Sequence, residues 1–229
     1  MVTTMTTRRG RYSAGQETRT LLIHTAERLF AQRGYHAVTL AEIRDAAGQH
    51  NASVIGYYFG SKEKLLRAIF DHRLPRIGAD RDALIDELSS ATGKLTLREG
   101  LWSLVEPLSD SVRRGECYVG LLDRLMETDI LGEIFNSADP RATASGHAVD
   151  RALSSAMADV PEYARRQRIM MVYESVLRTL ARYSRSSEVP GRTELTALVD
   201  AWEGLLRAPT SAETRAAHDG PAPDPALSR

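Results

Sequence analysis

The fold of this chain is decided by residues 39–66, TLAEIRDAAGQHNASVIGYYFGSKEKLL. Thr39 can cap a helix, and Glu42 lies three residues further on, where its carboxylate can reach back to the Thr39 amide in a capping box. Apolar residues then recur on one face at helical spacing. Gly48 predicts the end of this helix, because glycine takes a positive φ at little steric cost. The first part of the stretch therefore predicts a short helix with defined ends.

A second helix is predicted from Asn51 to Tyr58. Asn51 is a favourable N-cap residue, Gly60 ends the helix, and Ser61 caps the next one. Two short helices joined by a tight turn form the helix-turn-helix motif, whose second helix enters the major groove of DNA. An ordinary helical hairpin in a larger bundle has the same spacing, so spacing alone does not separate the two interpretations.

The surface of the second helix favours DNA. A bundle helix normally carries Glu and Lys on its exposed face. A helix that lies against phosphates excludes carboxylates and offers amide, hydroxyl and phenol groups to the backbone and the base edges. The positions expected to be exposed carry short polar or aromatic groups and no acid: His50, Asn51, Ser53, Gly56 and Tyr57.

The stretch resembles the DNA-binding domain of TetR-family transcriptional regulators over roughly residues 17–72. The resemblance is carried by three runs and by their spacing to a preceding helix: residues 39–43, Ala47-Gly48, residues 57–66, and Ala26, Phe30, Gly34 and Tyr35. The sequence departs from the family pattern in two places. The segment Gln49 to Gly56 is one residue longer than the common form, and Gly56 stands where an aromatic residue is frequent.

The resemblance implies an operator-binding protein and a set of DNA contacts. Lys62 would grip the DNA backbone, and it lies in a first helical turn, where free amides and the helix dipole already favour phosphate. Arg11 would act from a basic N-terminal arm along the phosphates or the minor groove. The full set of candidate DNA-binding residues is Arg11, Thr39, Arg44, His50, Asn51, Ala52, Ser53, Tyr57, Tyr58 and Lys62.

Composition predicts an all-α protein. The chain has 229 residues, of which 42% are hydrophobic; aromatic residues are few, and Leu and Ala are abundant. No apolar run approaches the length that a membrane span needs, and the first residues lack the apolar core of a signal peptide. A single cysteine, Cys117, excludes an internal disulfide and a multi-cysteine metal site. We therefore expect a cytoplasmic protein, associated with the nucleoid when bound to DNA, and an inert buried thiol rather than a redox sensor.

Four segments are predicted. Residues 1–16 read as a disordered basic arm, 17–72 as a three-helix DNA-binding domain, 73–207 as a helical ligand-binding and dimerisation domain, and 208–229 as a disordered tail. The net charge is zero, yet residues 1–72 hold ten basic and six acidic residues, a net of +4.

Pro75 is expected to interrupt or kink the helix that Ser61 opens. His24 and Glu27, on the first helix, are expected on the surface.

The C-terminal domain is predicted to dimerise through its last two helices. Further helices are expected over 96–114, 118–126, 140–157, 162–184 and 194–207, with a capping box at Thr96 and Glu99 and a cap at Asp139. The helices 162–184 and 194–207 carry broad apolar stripes, which are either buried in the subunit or packed on a second one. The resemblance implies the second arrangement, a homodimer whose twofold axis matches a palindromic operator.

The resemblance also implies a small-molecule effector site in the same domain. Candidate lining residues lie on its predicted helices, although each is individually more typical of core packing: Trp102, Tyr118, Leu122, Met126, His147, Met170, Tyr173 and Glu174. A mostly apolar body with few polar groups favours a hydrophobic or amphipathic ligand.

The sequence as a whole predicts a DNA-binding transcriptional regulator, most simply a repressor that an effector releases. It contains no metal-binding pair, phosphate-binding glycine loop or activated nucleophile, so we expect no enzymatic activity, metal or cofactor. A helical ligand carrier and a nonspecific DNA-binding protein with a structural helix-turn-helix are the alternatives. We expect no membrane partner.

Overall fold

The computed structural model describes residues 6–90, 93–186 and 188–219, with side chains from residue 14 to residue 215 within those ranges. These residues form an all-α structure without strands, as predicted. None of the described helices is both long and apolar enough to cross a membrane. The helices are α1 (Thr6–Arg33), α2 (Leu40–Ala46), α3 (Val54–Phe59), α4 (Lys62–Ser89), α5 (Leu97–Arg113), α6 (Tyr118–Leu125), α7 (Ile130–Ser137), α8 (Pro140–Ser155), α9 (Glu162–Ser186), α10 (Arg192–Arg207) and α11 (Ala212–Asp219).

The predicted helix caps at Thr39, Thr96 and Asp139 are confirmed. The Thr39 amide donates to Glu42 Oε2 over 2.8 Å, and Thr39 Oγ1 accepts from the Glu42 amide. Thr96 and Glu99 make the same reciprocal pair at the start of α5. Asp139 caps α8 by accepting from the Arg141 amide over 2.9 Å. Each cap satisfies backbone donors that the first helical turn leaves free.

Both ends of the chain hold more helix than the sequence predicts. The prediction of disorder for residues 1–16 is wrong from Thr6 onward, because α1 begins there; residues 1–5 lie outside the described part. A helix that is nucleated by a packed segment extends at little further cost, one hydrogen bond per residue. The disordered tail is likewise wrong for α11, whose Thr214 carbonyl accepts from the Tyr163 hydroxyl over 2.8 Å.

Pro75 does not interrupt α4, which runs from Lys62 to Ser89. Proline costs a helix interior about 3 kcal/mol. Leu74 and Ile77, on either side of Pro75, are buried, and burial of two such side chains offsets that cost. The boundary predicted between residues 72 and 73 therefore falls inside one continuous helix.

The helices up to residue 72 and the helical domain of residues 73–207 share one hydrophobic core. Residues 73–207 are called the body below. α4 packs against α1, α5 and α8, and α6 packs between α1 and α9. Phe70 of α4 meets Tyr118 of α6 edge to face, with ring centroids 5.5 Å apart. α4 therefore contacts both the N-terminal helices and the helices of the body.

A buried ion-pair network fixes α1 against α4. Glu27 is only 1% exposed, so its predicted surface position is wrong; His24, one turn earlier, is exposed as predicted. Arg73 donates to both Glu27 carboxylate oxygens, over 2.7 and 3.1 Å, and also pairs with Glu116. Glu27 Oε1 further accepts from the Cys117 amide over 2.9 Å. The carboxylate thus links α1, α4 and the turn before α6.

Replacing Glu27 should strongly destabilise the protein. In Glu27→Ala the Arg73 guanidinium and the Cys117 amide lose their shared partner in a buried site, and we expect the free energy of unfolding to fall by about 3 kcal/mol. The measurement is urea unfolding followed by circular dichroism. Glu87→Ala, at an exposed position of α4, is the control and should change stability by less than about 0.5 kcal/mol. Equal effects of the two substitutions would contradict the structural role of the network.

Candidate nucleic-acid interface

The helix-turn-helix is formed by α2, the turn of residues 47–53 and α3. Val54, Ile55 and Phe59 bury one face of α3 against α4 and α2. Gly56 and Tyr57 on the opposite face, and Ala52 and Ser53 in the turn before it, are exposed and include no acid. The turn and α3 therefore present hydroxyl, phenol and backbone groups outward.

The turn before α3 differs from its predicted form. α3 begins at Val54 rather than at Asn51, and Asn51 Oδ1 accepts from both the amide and the hydroxyl of Ser53, over 3.0 and 2.8 Å. This side-chain turn replaces the first predicted helical residues, since Asn readily bonds the backbone two residues on. His50, Asn51, Ala52 and Ser53 are all exposed on it.

Acidic groups around this surface are held by partners. Glu42 is bonded by Thr39 and paired with Arg33 at 2.7 Å, and these bonds lower the pKa of its carboxyl to about 2. Asp45 is paired with the candidate residue Arg44. Partial neutralisation weakens the repulsion that free carboxylates would exert on phosphates. Thr39, the other candidate on this side, is exposed.

The two adjacent tyrosines have different environments. Tyr57 is 81% exposed, the largest exposure of any large apolar or aromatic side chain among those described. Tyr58 is half-buried, and its hydroxyl lies next to Gly15 of α1. Their rings meet edge to face with centroids 5.0 Å apart. Tyr57 is thus available for contact, while Tyr58 mainly holds α3 against α1.

Lys62 does not extend outward from the first turn of α4. Its ammonium lies 4.5 Å from the ring centroid of Tyr35 and 5.8 Å from that of Phe30, and burial lowers the pKa of the Lys62 amine. Lys64, two residues further on, is exposed and is not among the predicted contacts. The signal that identifies Lys64 is its place in the same first turn, where phosphate is favoured.

Gly56 lies at the centre of the exposed face of α3. A Cβ atom added there would meet nothing within 4 Å, so the space above this backbone is open. A helix with glycine at such a place can approach a partner more closely than one with a side chain.

The side chain of the candidate residue Arg11 lies outside the described residues, although its backbone belongs to α1.

The candidate effector residues lie in different environments. Tyr118 and Leu122 are buried in the core, whereas His147 and Met170 are exposed. Tyr173 is half-buried, and Trp102 is covered by the Arg192 guanidinium, 3.9 Å from its ring centroid. Two candidates lie together in a surface groove of about 490 Å³ between α6 and α9, which is lined by Asp123, Met126, Glu127, Met171, Glu174, Ser175 and Arg178.

Cys117 is half-buried at the turn before α6. Burial raises the pKa of its thiol, and the neighbouring Glu27 carboxylate acts in the same direction. A thiol with a raised pKa holds little thiolate at neutral pH and reacts slowly. This environment agrees with the prediction of an inert thiol.

Comparison with known proteins gives the same domain. The sequence pattern described as "Bacterial regulatory proteins, tetR family" matches residues 22–69. The HTH-type transcriptional regulators BetI of Brucella melitensis biotype 2 and Brucella suis biovar 1 are each 39% identical over 69 residues, which is 30% of this chain and 34% of BetI. The chain thus spans about a third of the length of the curated relatives it matches.

Solved structures extend the likeness of fold to most of the chain. The fatty acid degradation regulator FadR from Bacillus halodurans superposes with a TM-score of 0.52 at 18% identity, over 83% of this chain and 99% of FadR. A TetR-family transcriptional regulator from Mesorhizobium loti superposes with a TM-score of 0.50 at 15% identity, over 85% of this chain and 95% of that protein. Residues 22–69 therefore match the DNA-binding domain of the TetR family of bacterial regulatory proteins, and most of the chain shares its fold with the two solved regulators.

Proposed function

We propose that this protein is a sequence-specific regulator that binds a palindromic operator as a homodimer and leaves it, as a repressor, when a small effector binds. The observation that carries the proposal is the acid-free exposed surface of α3 and the end of the turn before it, Ala52, Ser53, Gly56 and Tyr57, within the family domain. Such a face offers donors, acceptors and apolar contacts to base edges and no repulsion to phosphates.

The proposed dimer uses α9 and α10. The apolar stripe of α10 is buried within the subunit, where the Trp202 indole donates to Ser175 of α9 over 2.8 Å. The outward faces are left for a partner. On α9, Met170 and Met171 are 52% and 48% exposed. On α10 the exposed residues include small ones that permit close helix approach: Ala197, Ala201 and Gly204. A twofold arrangement of these faces would present two copies of α3.

The proposed response to the effector runs through α4. This helix begins beside α3 and continues into the body, where it packs against α5 and α8. A ligand that favours one position of α4 over another changes the spacing of the two α3 helices, and it weakens DNA binding by the difference in its affinity for the two states. A hydrophobic or amphipathic compound is the class of effector that the apolar body supports.

The first test is selection of bound duplexes from a random DNA library by the purified protein, followed by salt titration of the best binder. We expect enrichment of an inverted repeat whose half-sites are about 34 Å apart, since a dimer places two α3 helices in successive major grooves. Absence of any enriched sequence, with weak and steeply salt-dependent binding, would contradict the proposal and favour nonspecific binding.

Lys62 is proposed to bind the DNA backbone after its side chain leaves the Tyr35 ring. Lys62→Ala should weaken binding to the operator and to unrelated DNA alike, and it should reduce the slope of log affinity against log salt by about one unit. Fluorescence anisotropy at several salt concentrations measures both quantities. Lys64→Ala is the matched comparison in the same helical turn. If only Lys64→Ala reduces the slope, the assignment of Lys62 is wrong.

Ser53 is proposed to contribute to sequence preference instead. Ser53→Ala should change the ranking of half-site variants and leave the salt slope as it is, because a base-edge contact carries sequence information and a phosphate contact does not. An equal loss on every DNA sequence would rule out this role.

Gly56 is proposed to allow α3 to approach the base edges closely. Gly56→Ala should raise the free energy of unfolding by about 0.5–1 kcal/mol, because alanine is the better helix former and the site is open. The same substitution should weaken operator binding, since its methyl group would stand between α3 and the groove. Gly132→Ala on α7, another helical glycine with open space, should match the gain in stability and leave DNA binding unchanged. Operator binding by Gly56→Ala equal to that of the wild type would refute this role.

A further inference from the structure

A buried arginine in the body has no acidic partner. Arg81 of α4 is 8% exposed. Its Nε donates to the Ser103 carbonyl of α5 over 3.1 Å, and its Nη1 donates to the Ser145 hydroxyl of α8 over 3.2 Å. Both acceptors are neutral, and among the described residues no carboxylate lies within ion-pair distance of Arg81. The guanidinium is therefore held between three helices without an ion pair, and the carboxylate of the exposed neighbour Asp82 acts on it only electrostatically.

This arrangement is unlike that of the other buried charges in the described part of the chain. Glu27 is paired with Arg73, and Asp123 is paired with Arg178 and Arg185. Removing an ion from water costs several kcal/mol unless an opposite charge compensates it. The cost is visible in Arg81 itself, because burial lowers the pKa of its guanidinium. An anion that bound in the body would place an opposite charge next to the Arg81 guanidinium.

The groups around Arg81 suit the charged end of a small ligand. Tyr118 of α6 and Tyr173 of α9 interact electrostatically with the guanidinium, and burial raises the pKa of Tyr173 to about 12, so its hydroxyl keeps its proton at neutral pH. Neutral phenols can donate hydrogen bonds to an anion. Gly146 lies beside the guanidinium, where even a Cβ atom would be 3.9 Å from Nη1.

We propose that Arg81 binds the carboxylate end of an apolar monocarboxylate effector. The inference rests on the proposed effector control and names the class of ligand for it. None of the described contacts uses Arg81 Nη2, so a carboxylate can accept from a guanidinium nitrogen that no protein group occupies. A single cation among apolar helices favours a singly charged group over a phosphate, whose second charge would stay uncompensated. The rest of the ligand then packs on apolar side chains.

The position of Arg81 connects this site to DNA binding. Arg81 and Lys62 lie on the same continuous helix, 19 residues apart, which corresponds to about 28 Å along the helix axis. A carboxylate held by Arg81 is in contact with α4 at one end, and α3 packs against α4 at the other. Binding at Arg81 therefore acts directly on the helix that supports the proposed DNA surface.

The test uses two pairs of probes that differ only in charge: decanoate with decanol, and phenylacetate with phenylethanol. Affinities for the full-length protein are measured by isothermal titration calorimetry in the absence of DNA. We expect at least one carboxylate to bind about tenfold or more tightly than its alcohol, because a hydrogen bond to a charged group contributes more than a neutral one. Arg81→Met should abolish this preference, and Arg81→Lys should retain part of it.

Three controls separate binding from folding and from regulation. Arg151→Met, at an exposed position of α8, should leave the preference unchanged. Urea unfolding checks each variant, and Arg81→Gln serves as the neutral variant if Arg81→Met does not fold. Release of the selected operator by the same probes is measured separately, so DNA binding and ligand binding are tested independently.

Equal binding of carboxylates and alcohols, no binding of either carboxylate, or an undiminished preference in Arg81→Met would each overturn the inference. Those results would leave the regulator proposal standing if the operator is still selected. Conversely, carboxylate binding that depends on Arg81, in a protein that selects no operator, would support the site and refute the regulator.

Discussion

The bidentate pair between Glu27 and Arg73 holds α1 and α4 in a fixed relation, and the rest of the structure depends on that relation. Through the Cys117 amide and Glu116, the same charges fix the turn that leads into α6. An ion pair of this kind gains little over an apolar contact, but it is costly to break, so it favours one arrangement over looser alternatives. The helix-turn-helix thereby rests on a support that extends into the body.

Charged side chains have different partners near the proposed DNA surface and in the body. Near the proposed DNA surface, Glu42 and Asp45 have cationic partners, and the Tyr35 hydroxyl donates to Glu63 over 3.3 Å. In the body the situation is reversed, because the hydrogen-bond acceptors of the buried Arg81 are neutral. One end of α4 thus lies beside a surface suited to phosphates, and the other end holds a cation suited to a carboxylate.

Much of the backbone of the helix-turn-helix could be predicted from local sequence, whereas the orientations of its charged side chains could not. Thr39 and Glu42 interact across three residues, so a capping box is readable from the sequence alone. The start of α3 was misplaced because Asn51 serves equally well as a helix cap and as a side-chain turn, and neighbouring packing selects between them. The orientation of Lys62 over Tyr35 depends on a residue from the preceding helix, which no local pattern specifies.

The sequence by itself determined the all-α class, the ends of most helices and the acid-free face of α3, because caps, periodicity and composition act within a few residues of each other. Only the tertiary structure decided which charges are buried. Glu27 meets Arg73 across 46 residues of sequence, and Arg81 meets Ser145 across 64. The physical reason is that desolvation depends on every element that packs around a group, so the environment of a charge exists only once the helices have assembled.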